Sequence, residues 1–458
     1  MEQMTLSEIA RAVHGRLLHT EGTAFIDTVS TDSRQADGST LFVALKGERF
    51  DGHDFIGGFY QGGGAAVISE RETEGPVILV EDTRLALGAL AKYYRRKFNL
   101  PVIGITGSVG KTSTRRMIES VLSAAGEVCG TQGNLNNDIG LPRTLLTLER
   151  AHQYAVIEMG MNHAGEIRYL TNITRPDIAV ITNVGTAHIG NLGSREAILR
   201  AKLEILEGLA PGGLALLNGD DERLYAQKFK LPCRAMYYGI HNPACDLTAR
   251  DVACGALESR FRVGRDAFAV HAPGEHHVYN ALAAIATGVA FELPMIDIQK
   301  GVENFRPADM RQTMIDIGGV RIIEDCYNAN ADSMLAALAV LAASDMGGPS
   351  GTGGRKIAVL GDMLELGEFT QAEHRRVGGC AARHGIDLLV TVGEYAAAIA
   401  ETAMAGGVSA ICVTDNRAAL GAVLGLLRPG DTILVKASRS AKFEEISRGL
   451  QAFLINSL

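Results

Sequence analysis

Residues 107–112 read Gly-Ser-Val-Gly-Lys-Thr and bring together the residue types that hold the phosphates of a nucleotide. Gly107 and Gly110 would let the backbone approach a phosphate closely and adopt positive φ angles. Lys111 would reach the β- and γ-phosphates, and the hydroxyl of Thr112 would ligate Mg²⁺. The segment therefore predicts a site for ATP or GTP.

This glycine-rich segment departs from the strict phosphate-binding motif, G-x-x-x-x-G-K-[ST]. Ile105 stands five residues before Gly110, so the shorter G-x-x-G-K-T remains. An apolar run at 102–105 precedes it and a helical pattern follows, which predicts a strand, a turn and a helix N-terminus. An ordinary glycine turn would explain the glycines alone, whereas the lysine and the hydroxyl favour phosphate binding.

Two further candidate residues come at the ends of predicted strands. Glu158 lies at the end of the apolar run 155–159, and His188 follows the strand predicted at 178–182. Ligands of open α/β sheets bind at the carboxyl ends of the strands, where a carboxylate can hold Mg²⁺ beside the phosphates. The alternatives are a solvated glutamate and a structural histidine.

Lys202 lies on the apolar face of the helix predicted over residues 195–209. At 100° per residue, Ile198 and Ile205 share that face, and Glu204 lies on the opposite side. An unpaired ammonium is costly to bury, so Lys202 either extends its charge to solvent or is buried for a chemical reason. A carbamate formed with CO₂ would turn the cation into an anion that can face a metal.

The elements that must position these residues alternate between strands and helices, which predicts an α/β fold. With 458 residues, three domains are expected, at 1–98, 99–306 and 307–458. Strands are predicted in the second and third domains at 102–106, 155–159, 178–182, 214–217, 320–324, 356–360, 388–392, 410–413 and 432–436. The glycine-rich segment 346–355 is predicted to be a surface loop without evident chemistry.

The composition excludes several classes of protein. A net charge of −8 argues against a nucleic-acid binder. The seven cysteines are scattered and form no C-x-x-C pair, which predicts neither a disulfide framework nor a zinc site and fits the cytoplasm. No apolar run approaches the ~18 residues of a membrane span.

The phosphate loop, together with Glu158, His188 and Lys202 behind it, resembles the Mur ligases. The resemblance implies a domain that binds a UDP-muramoyl peptide, a central doubly wound P-loop ATPase domain and a Rossmann-like C-terminal domain. It also implies two Mg²⁺ ions, with Thr112, Glu158, His188 and a carbamylated Lys202 as the metal-site residues. The same glutamate, histidine and lysine, with Lys111, would form the catalytic set.

Further stretches narrow the resemblance to the branch of the family that adds D-alanyl-D-alanine. They are found at 30–35, 133–142, 324–334, 359–368 and 434–442. The Asp-Asn-Pro-Arg motif of the diamino-acid-adding branch is absent, since the nearest stretch, Asp-Asn-Arg from position 415, lacks the proline.

The resemblance also assigns binding residues. The implied nucleotide site comprises Thr106, Gly107, Ser108, Val109, Gly110, Lys111, Thr112, Ser113, His276, Asn280, Arg311 and Asp325. The implied substrate site comprises Asp32, Ser33, Arg34, Asn134, Asn136, Asn137, Tyr327, Asn328 and Asn330. One position departs from the family pattern, because His277 stands where asparagine is usual near the adenine.

The implied activity is the ATP-dependent ligation of D-alanyl-D-alanine to UDP-N-acetylmuramoyl-tripeptide through an acyl phosphate, giving the pentapeptide precursor of peptidoglycan. A cytoplasmic monomer is expected. The alternatives within the class are a diamino-acid-adding ligase and the related folylpolyglutamate synthase, which the N-terminal domain disfavours. From other classes, a P-loop kinase acting on a UDP-sugar and a non-catalytic nucleotide-binding regulator remain open.

Overall fold

The N-terminal part of the chain forms a five-stranded sheet and a separate two-stranded one in the computed structural model, which describes residues 1–344 and 354–456. Its strands are β1 (Met4–Thr5), β2 (Arg16–Leu18), β3 (Phe25–Ile26), β4 (Thr28–Ser30), β5 (Thr40–Val43), β6 (Ala66–Ser69) and β7 (Val77–Leu79). Its helices are α1 (Leu6–Ala12), α2 (Ile56–Gln61) and α3 (Thr83–Arg95), with a 3₁₀ turn at Gly52–Phe55. The order of the larger sheet is β2-β7-β6-β5-β4, and β2 alone runs antiparallel to its neighbour.

The central part forms a nine-stranded sheet. Its strands are β8 (Val102–Thr106), β9 (Glu127–Gly130), β10 (His152–Glu158), β11 (Ile178–Ile181), β12 (Leu214–Asn218), β13 (Arg234–Gly239), β14 (Leu247–Cys254), β15 (Ser259–Val263) and β16 (Asp266–Val270). Its helices are α4 (Lys111–Leu122), α5 (Gly140–Leu145), α6 (Glu166–Thr174), α7 (Ile189–Leu192), α8 (Arg195–Leu203), α9 (Glu222–Tyr225), α10 (Glu275–Ala290) and α11 (Met295–Asn304). The order is β16-β15-β14-β13-β12-β11-β8-β10-β9, parallel from β9 to β14 and antiparallel beyond.

Strand β8 shows why this sheet holds the phosphate loop rigidly. All five of its residues are buried. Val102 packs into the core on one face of the sheet, and Ile103 and Ile105 pack into the core on the other. A strand buried on both faces needs apolar side chains throughout, and the continuous apolar run at 102–105 meets that need.

The C-terminal part forms a six-stranded sheet. Its strands are β17 (Thr313–Ile317), β18 (Val320–Glu324), β19 (Lys356–Gly361), β20 (Leu388–Val392), β21 (Ser409–Val413) and β22 (Thr432–Lys436). Its helices are α12 (Ala331–Ala343), α13 (Thr370–Arg383), α14 (Ala397–Ala405), α15 (Asn416–Leu424) and α16 (Glu444–Asn456), with 3₁₀ turns at Gly367–Phe369 and Arg439–Ala441. The order is β17-β18-β22-β19-β20-β21, parallel except for β17.

The predicted elements agree with these sheets, with two differences. The helix expected over 195–209 ends at Leu203 and continues as a 3₁₀ helix over Glu204–Gly208. The carboxylate of Glu204 is buried rather than solvated, because it accepts hydrogen bonds from the N–H groups of Gly165 and Arg168 at the start of α6. The predicted loop at 346–355 lies outside the described residues except for its last two.

The domain limits at 98/99 and 306/307 stay predictions, and each falls between two elements. No helix in the described ranges, 1–344 and 354–456, is long and apolar enough to cross a membrane.

Candidate active site

The phosphate loop joins β8 to the N-terminus of α4. Gly110 has a φ of 84° and caps α4, and Gly107 has a φ of 154°. A Cβ at Gly107 would collide with the hydroxyl of Thr182. The ammonium of Lys111 folds back over the loop and donates to the carbonyl oxygen of Gly107 at 2.8 Å. The loop thus has the positive φ angles and the lysine that its sequence predicts.

The segment after β11 holds this loop in place through hydrogen bonds. Asn183 accepts from the N–H of Ser108 with its carbonyl oxygen (3.1 Å) and from the N–H of Val109 with its side-chain oxygen (3.0 Å). Gly185 in turn donates its N–H to the hydroxyl of Ser108 at 2.9 Å. The position of the phosphate loop is therefore coupled to residues 182–188, which end at His188.

Glu158 ends β10 beside the phosphate loop and is only 2% exposed. Its Oε2 accepts from the hydroxyl of Thr112 at 2.9 Å, and its Oε1 accepts from the side-chain amide of Asn136 at 2.9 Å. The guanidinium of Arg115 lies 3.7 Å from Oε2. A hydroxyl and a carboxylate oxygen thus adjoin at the start of α4.

This pair of oxygens fits Mg²⁺. Within the described residues no group of three or more His, Cys, Asp or Glu side chains could hold a metal ion. Mg²⁺ does not require such a group, because it commonly binds one or two carboxylates together with substrate phosphates. Thr112 and Glu158 would supply the protein oxygens.

His188 and Lys202 have different surroundings. His188 has a φ of 61° at the start of α7, and its Nδ1 lies 2.7 Å from Oε2 of Glu365 in the C-terminal part. Lys202 is 1% exposed, and its ammonium has no hydrogen bond or ion pair among the described residues. Burial, together with the charge of Lys111, holds the pKa of Lys202 well below its usual range, although Asp221 opposes the shift. The side chain does not extend to solvent.

A cavity of about 790 Å³ lies between the central and C-terminal parts and brings most of the predicted residues together. The site residues predicted from the sequence that line this cavity are Ser108, Val109, Gly110, Lys111, Thr112, Ser113, Asn134, Asn136, Asn137, Glu158, His188, His276, Asn280, Arg311, Asp325, Tyr327, Asn328 and Asn330. The predicted residues that do not line it are Asp32, Ser33, Arg34, Thr106, Gly107 and Lys202.

Two histidines and an asparagine form one end of the cavity at the N-terminus of α10. His276 pairs through Nε2 with Oε1 of Gln312 at 2.8 Å. His277 is 2% exposed, and neither of its ring nitrogens has a hydrogen-bond partner among the described residues. Asn280 accepts from the hydroxyl of Thr114, but its NH₂ is unpartnered within the same described part of the chain. Since buried polar groups are normally paired, these atoms indicate a place where a ligand completes the hydrogen bonding.

Two of the cations on the C-terminal wall of the cavity, Lys436 and Arg311, have different partners. Lys436 is 2% exposed and donates to Oδ2 of Asp325 (2.8 Å) and to the carbonyl oxygen of Asn328 (3.0 Å). The guanidinium of Arg311 lies 4.1 Å from the ring centroid of Tyr327, a cation–π contact that leaves its N–H groups available. Sequence analysis gave Lys436 no role, because only the fold places β22 beside Asp325.

Asn330 already has a structural role. Its side-chain oxygen accepts from the N–H of Ser333, and the Ser333 hydroxyl and the Asn330 backbone complete a capping box at the start of α12. The side-chain NH₂ group of Asn330 takes no part in this cap and can still donate to a ligand.

Asp32 and Arg34 pair with each other in the N-terminal part. Arg34 donates from Nη2 to Oδ2 of Asp32 (2.6 Å) and from Nε to Oδ1 (2.8 Å). These hydrogen bonds lower the pKa of Asp32 to about 2. The arginine is 87% exposed, so the pair presents a positive group to solvent outside the cavity.

Three family models match the chain. They are the Mur ligase family, catalytic domain, over residues 25–95, the Mur ligase middle domain over 105–288, and the Mur ligase, glutamate ligase domain, over 310–439. UDP-N-acetylmuramoyl-tripeptide–D-alanyl-D-alanine ligase of Bacillus subtilis is 39% identical over 98% of this chain and 99% of its own length. The protein of the same name from Escherichia coli is 37% identical, with the same coverage.

Solved structures match this chain over nearly its full length. A crystal structure of MurF from Acinetobacter baumannii has a TM-score of 0.91 at 34% identity and covers 99% of both chains. The MurF ligase of Thermotoga maritima in complex with ADP has a TM-score of 0.83 at 26% identity and covers 94% of this chain and 98% of its own. Fold and site together define an ATP-dependent ligase with three α/β domains. The chain belongs to the Mur ligase family, and the predicted fold class is confirmed.

Proposed function

We propose that this protein joins D-alanyl-D-alanine to UDP-N-acetylmuramoyl-tripeptide at the expense of ATP, giving the pentapeptide precursor of peptidoglycan. The observation that carries the proposal is the full-length similarity to ligases of that name, at 37–39% identity in two bacteria. The cavity supports it, because it joins the phosphate loop to a wall from the C-terminal domain. An ATP-dependent ligation needs one site in which the nucleotide, the acceptor and the amine are bound next to one another.

ATP would bind with its phosphates at the N-terminus of α4, where Lys111 and Arg311 supply positive charge. Its base would lie towards the ends of β12 and β13, since Tyr238, Tyr279 and the unpartnered His277 line that end of the cavity. Asp325, which Lys436 orients, would face the ribose.

Thr112 and Glu158 would hold one Mg²⁺, and His188 with a carbamylated Lys202 would hold a second. The ions would neutralise phosphate charge, so that two anions can meet. Two observations support the carbamate: the burial of Lys202 and the absence of a hydrogen bond or ion pair to its ammonium among the described residues. A carbamate would convert a costly buried cation into a metal ligand.

The terminal carboxylate of the tripeptide would attack the γ-phosphorus of ATP, and ADP would leave. The free amine of the dipeptide would then attack the acyl carbon of the resulting acyl phosphate, and inorganic phosphate would leave as the amide forms. The protein needs no nucleophile for these steps. Lys111 places a fixed positive charge at the transferring phosphoryl group, and the cavity walls align the reactants.

The acceptor would lie along the asparagines at 134, 136 and 137, and its UDP part would reach the exposed Asp32–Arg34 pair and Ser33. Tyr327, Asn328 and the NH₂ of Asn330 would face the dipeptide from the C-terminal wall. The cytoplasm fits the seven free cysteines. A monomeric state is part of the proposal.

Phosphate release and product mass test the proposal. The purified protein is incubated with ATP, Mg²⁺ and either UDP-muramoyl-tripeptide or UDP-muramoyl-dipeptide as the acceptor, and with D-alanyl-D-alanine, L-lysine or diaminopimelate as the amine. We expect phosphate release and a pentapeptide mass only when the tripeptide acceptor is combined with D-alanyl-D-alanine. ATP turnover without any amine would favour a kinase, and no turnover would favour a regulator. A diamino-acid product formed from UDP-muramoyl-dipeptide would assign the chain to the other branch.

A further inference from the structure

Segment 182–188 is held on two sides by two different domains. The N–H of Gly185 donates to the hydroxyl of Ser108 in the phosphate loop (2.9 Å). The next N–H, from Thr186, donates to Oδ2 of Asp332 (2.9 Å) in the first turn of α12. Adjacent amides of one segment thus bond to the central phosphate loop and to the C-terminal domain.

The carboxylate of Asp332 is oriented from within its own domain. Nη1 of Arg376, on α13, lies 3.1 Å from Oδ1 of Asp332 and 3.1 Å from Oε2 of Glu373. One carboxylate oxygen therefore faces the C-terminal domain and the other faces the central domain. The carboxylate of Asp332 can approach the backbone this closely only at a glycine, because a Cβ on Gly185 would collide with Oδ2 of Asp332.

A second interdomain contact follows directly along the chain. The N–H of Gly190 donates to the carbonyl oxygen of Glu365 at 3.1 Å, and Nδ1 of His188 lies 2.7 Å from the carboxylate of the same residue. His188 therefore lies in sequence between Thr186 and Gly190, whose backbone N–H groups both donate to the C-terminal domain. Docking of that domain must influence where His188 lies.

We propose that Asp332 is a positioning residue that sets segment 182–188 against the phosphate loop when the C-terminal domain docks. The proposal rests on the proposed function, which gives Ser108 and His188 their roles. A hydrogen bond from a backbone N–H to a carboxylate is charge-assisted and directional, so it fixes the segment more firmly than packing alone. Among the described residues, Asp332 has no hydrogen bond or ion pair with the phosphate loop and does not line the cavity, so its loss should spare nucleotide binding.

Steady-state kinetics and nucleotide binding of Asp332→Ala test whether Asp332 affects turnover without affecting nucleotide affinity. We expect kcat to fall roughly 10- to 100-fold, as on loss of a hydrogen bond to a charged group, while the Kd for AMP-PNP with Mg²⁺ stays within about twofold. Asp332→Asn, which keeps an acceptor oxygen, should recover part of kcat. Asp316→Ala is the matched control, because Asp316 pairs with Arg321 inside the same domain. It should leave kcat unchanged.

Hydrogen exchange tests the contact without any turnover. In the AMP-PNP complex of the full chain, the Thr186 amide should exchange faster in Asp332→Ala than in wild type or Asp316→Ala. Gly185→Ala should slow turnover, and adding Asp332→Ala should cause no further loss, because the clash with Oδ2 of Asp332, the shortest that the new Cβ makes, then disappears. Unchanged exchange at Thr186, or a loss of AMP-PNP affinity in proportion to kcat, overturns the proposal. If wild type forms no pentapeptide, the proposed function fails, and the exchange experiment still decides the contact.

Discussion

Lys111 and Lys202 are two lysines of the predicted catalytic set with different surroundings. The ammonium of Lys111 has an acceptor at Gly107 and lines the cavity. Within the described residues, the ammonium of Lys202 has no hydrogen-bond acceptor and does not line the cavity. Burial lowers the pKa of both lysines, and that of Lys202 lies well below its usual range. The proposed function requires Lys111 to keep its charge at a phosphate and Lys202 to exchange its charge for that of a carbamate. Replacing Lys111 and replacing Lys202 should therefore abolish activity for different reasons.

Lys111→Ala should reduce kcat by about 10² or more, because the transferring phosphoryl group loses a preorganised charge. Phosphate release in the complete assay measures the effect. Lys300→Ala, which removes an exposed lysine from α11, is the control and should match wild type. Retention of more than about a third of kcat would contradict the assignment of the loop.

Lys202→Ala should be nearly inactive and should recover partly in acetate or formate, which can replace the missing anion. Removing CO₂ and bicarbonate should lower wild-type activity reversibly. Steady-state turnover with and without added carboxylate provides the measurement. Mild loss in Lys202→Met, together with indifference to CO₂ and to carboxylates, would instead mean that the lysine only packs the helix.

At the scale of elements, the strand–turn–helix unit of β8 and α4 depends on the backbone of its glycines. Gly110 caps α4 with a left-handed φ of 84°, and a Cβ there would lie 3.0 Å from Oδ1 of Asn280. Side chains in the left-handed region are strained, and this one would also press on a residue of the cavity. Replacing Gly110 by alanine should therefore weaken nucleotide binding as well as stability.

Gly110→Ala should cost roughly 1–2 kcal/mol of unfolding free energy and weaken AMP-PNP binding. Gly212→Ala is a matched control, because Gly212 has a φ of 78° and no atom within 4 Å of an added Cβ. It should cost similar stability and leave nucleotide affinity unchanged. Chemical denaturation and calorimetric titration separate the two quantities. Equal nucleotide affinity in both variants would show that strain at Gly110 does not reach the site.

At the scale of the whole molecule, buried histidines link stability to pH. Burial lowers the pKa of His276 and His374 and holds that of His277 well below its usual range. These rings stay neutral in the folded protein, while the unfolded chain takes up protons near pH 6.5. Their contribution is therefore complete above about pH 6.5 and is lost as the pH falls.

The free energy of unfolding should fall from about pH 6.5 to 5, by up to about 1.4 kcal/mol per pH unit for each such histidine. Denaturant titrations across this range measure the slope. His277→Asn should make the slope shallower, because it removes a buried ring whose pKa is held low. An identical slope in His277→Asn would show that the ring is protonated in the folded state.

The amino-acid sequence by itself determined what depends on local pattern. The run at 102–106 predicted β8 residue for residue, and the glycines and lysine after it predicted a turn with positive φ angles. The helical spacing of apolar residues from position 195 onwards placed Lys202 on the buried face of α8. Such features follow from neighbouring residues, because strand alternation, helix period and turn chemistry are local properties.

Tertiary structure alone decided which distant residues meet. Lys436 reaches Asp325 across two strands that are adjacent only in the folded sheet, and Thr186 meets Asp332 across 146 positions. The unpartnered nitrogens of His277 likewise became visible only once its surroundings were known. Pairing of this kind depends on sheet order and on domain docking, which the free energy of the whole molecule sets and no local pattern encodes.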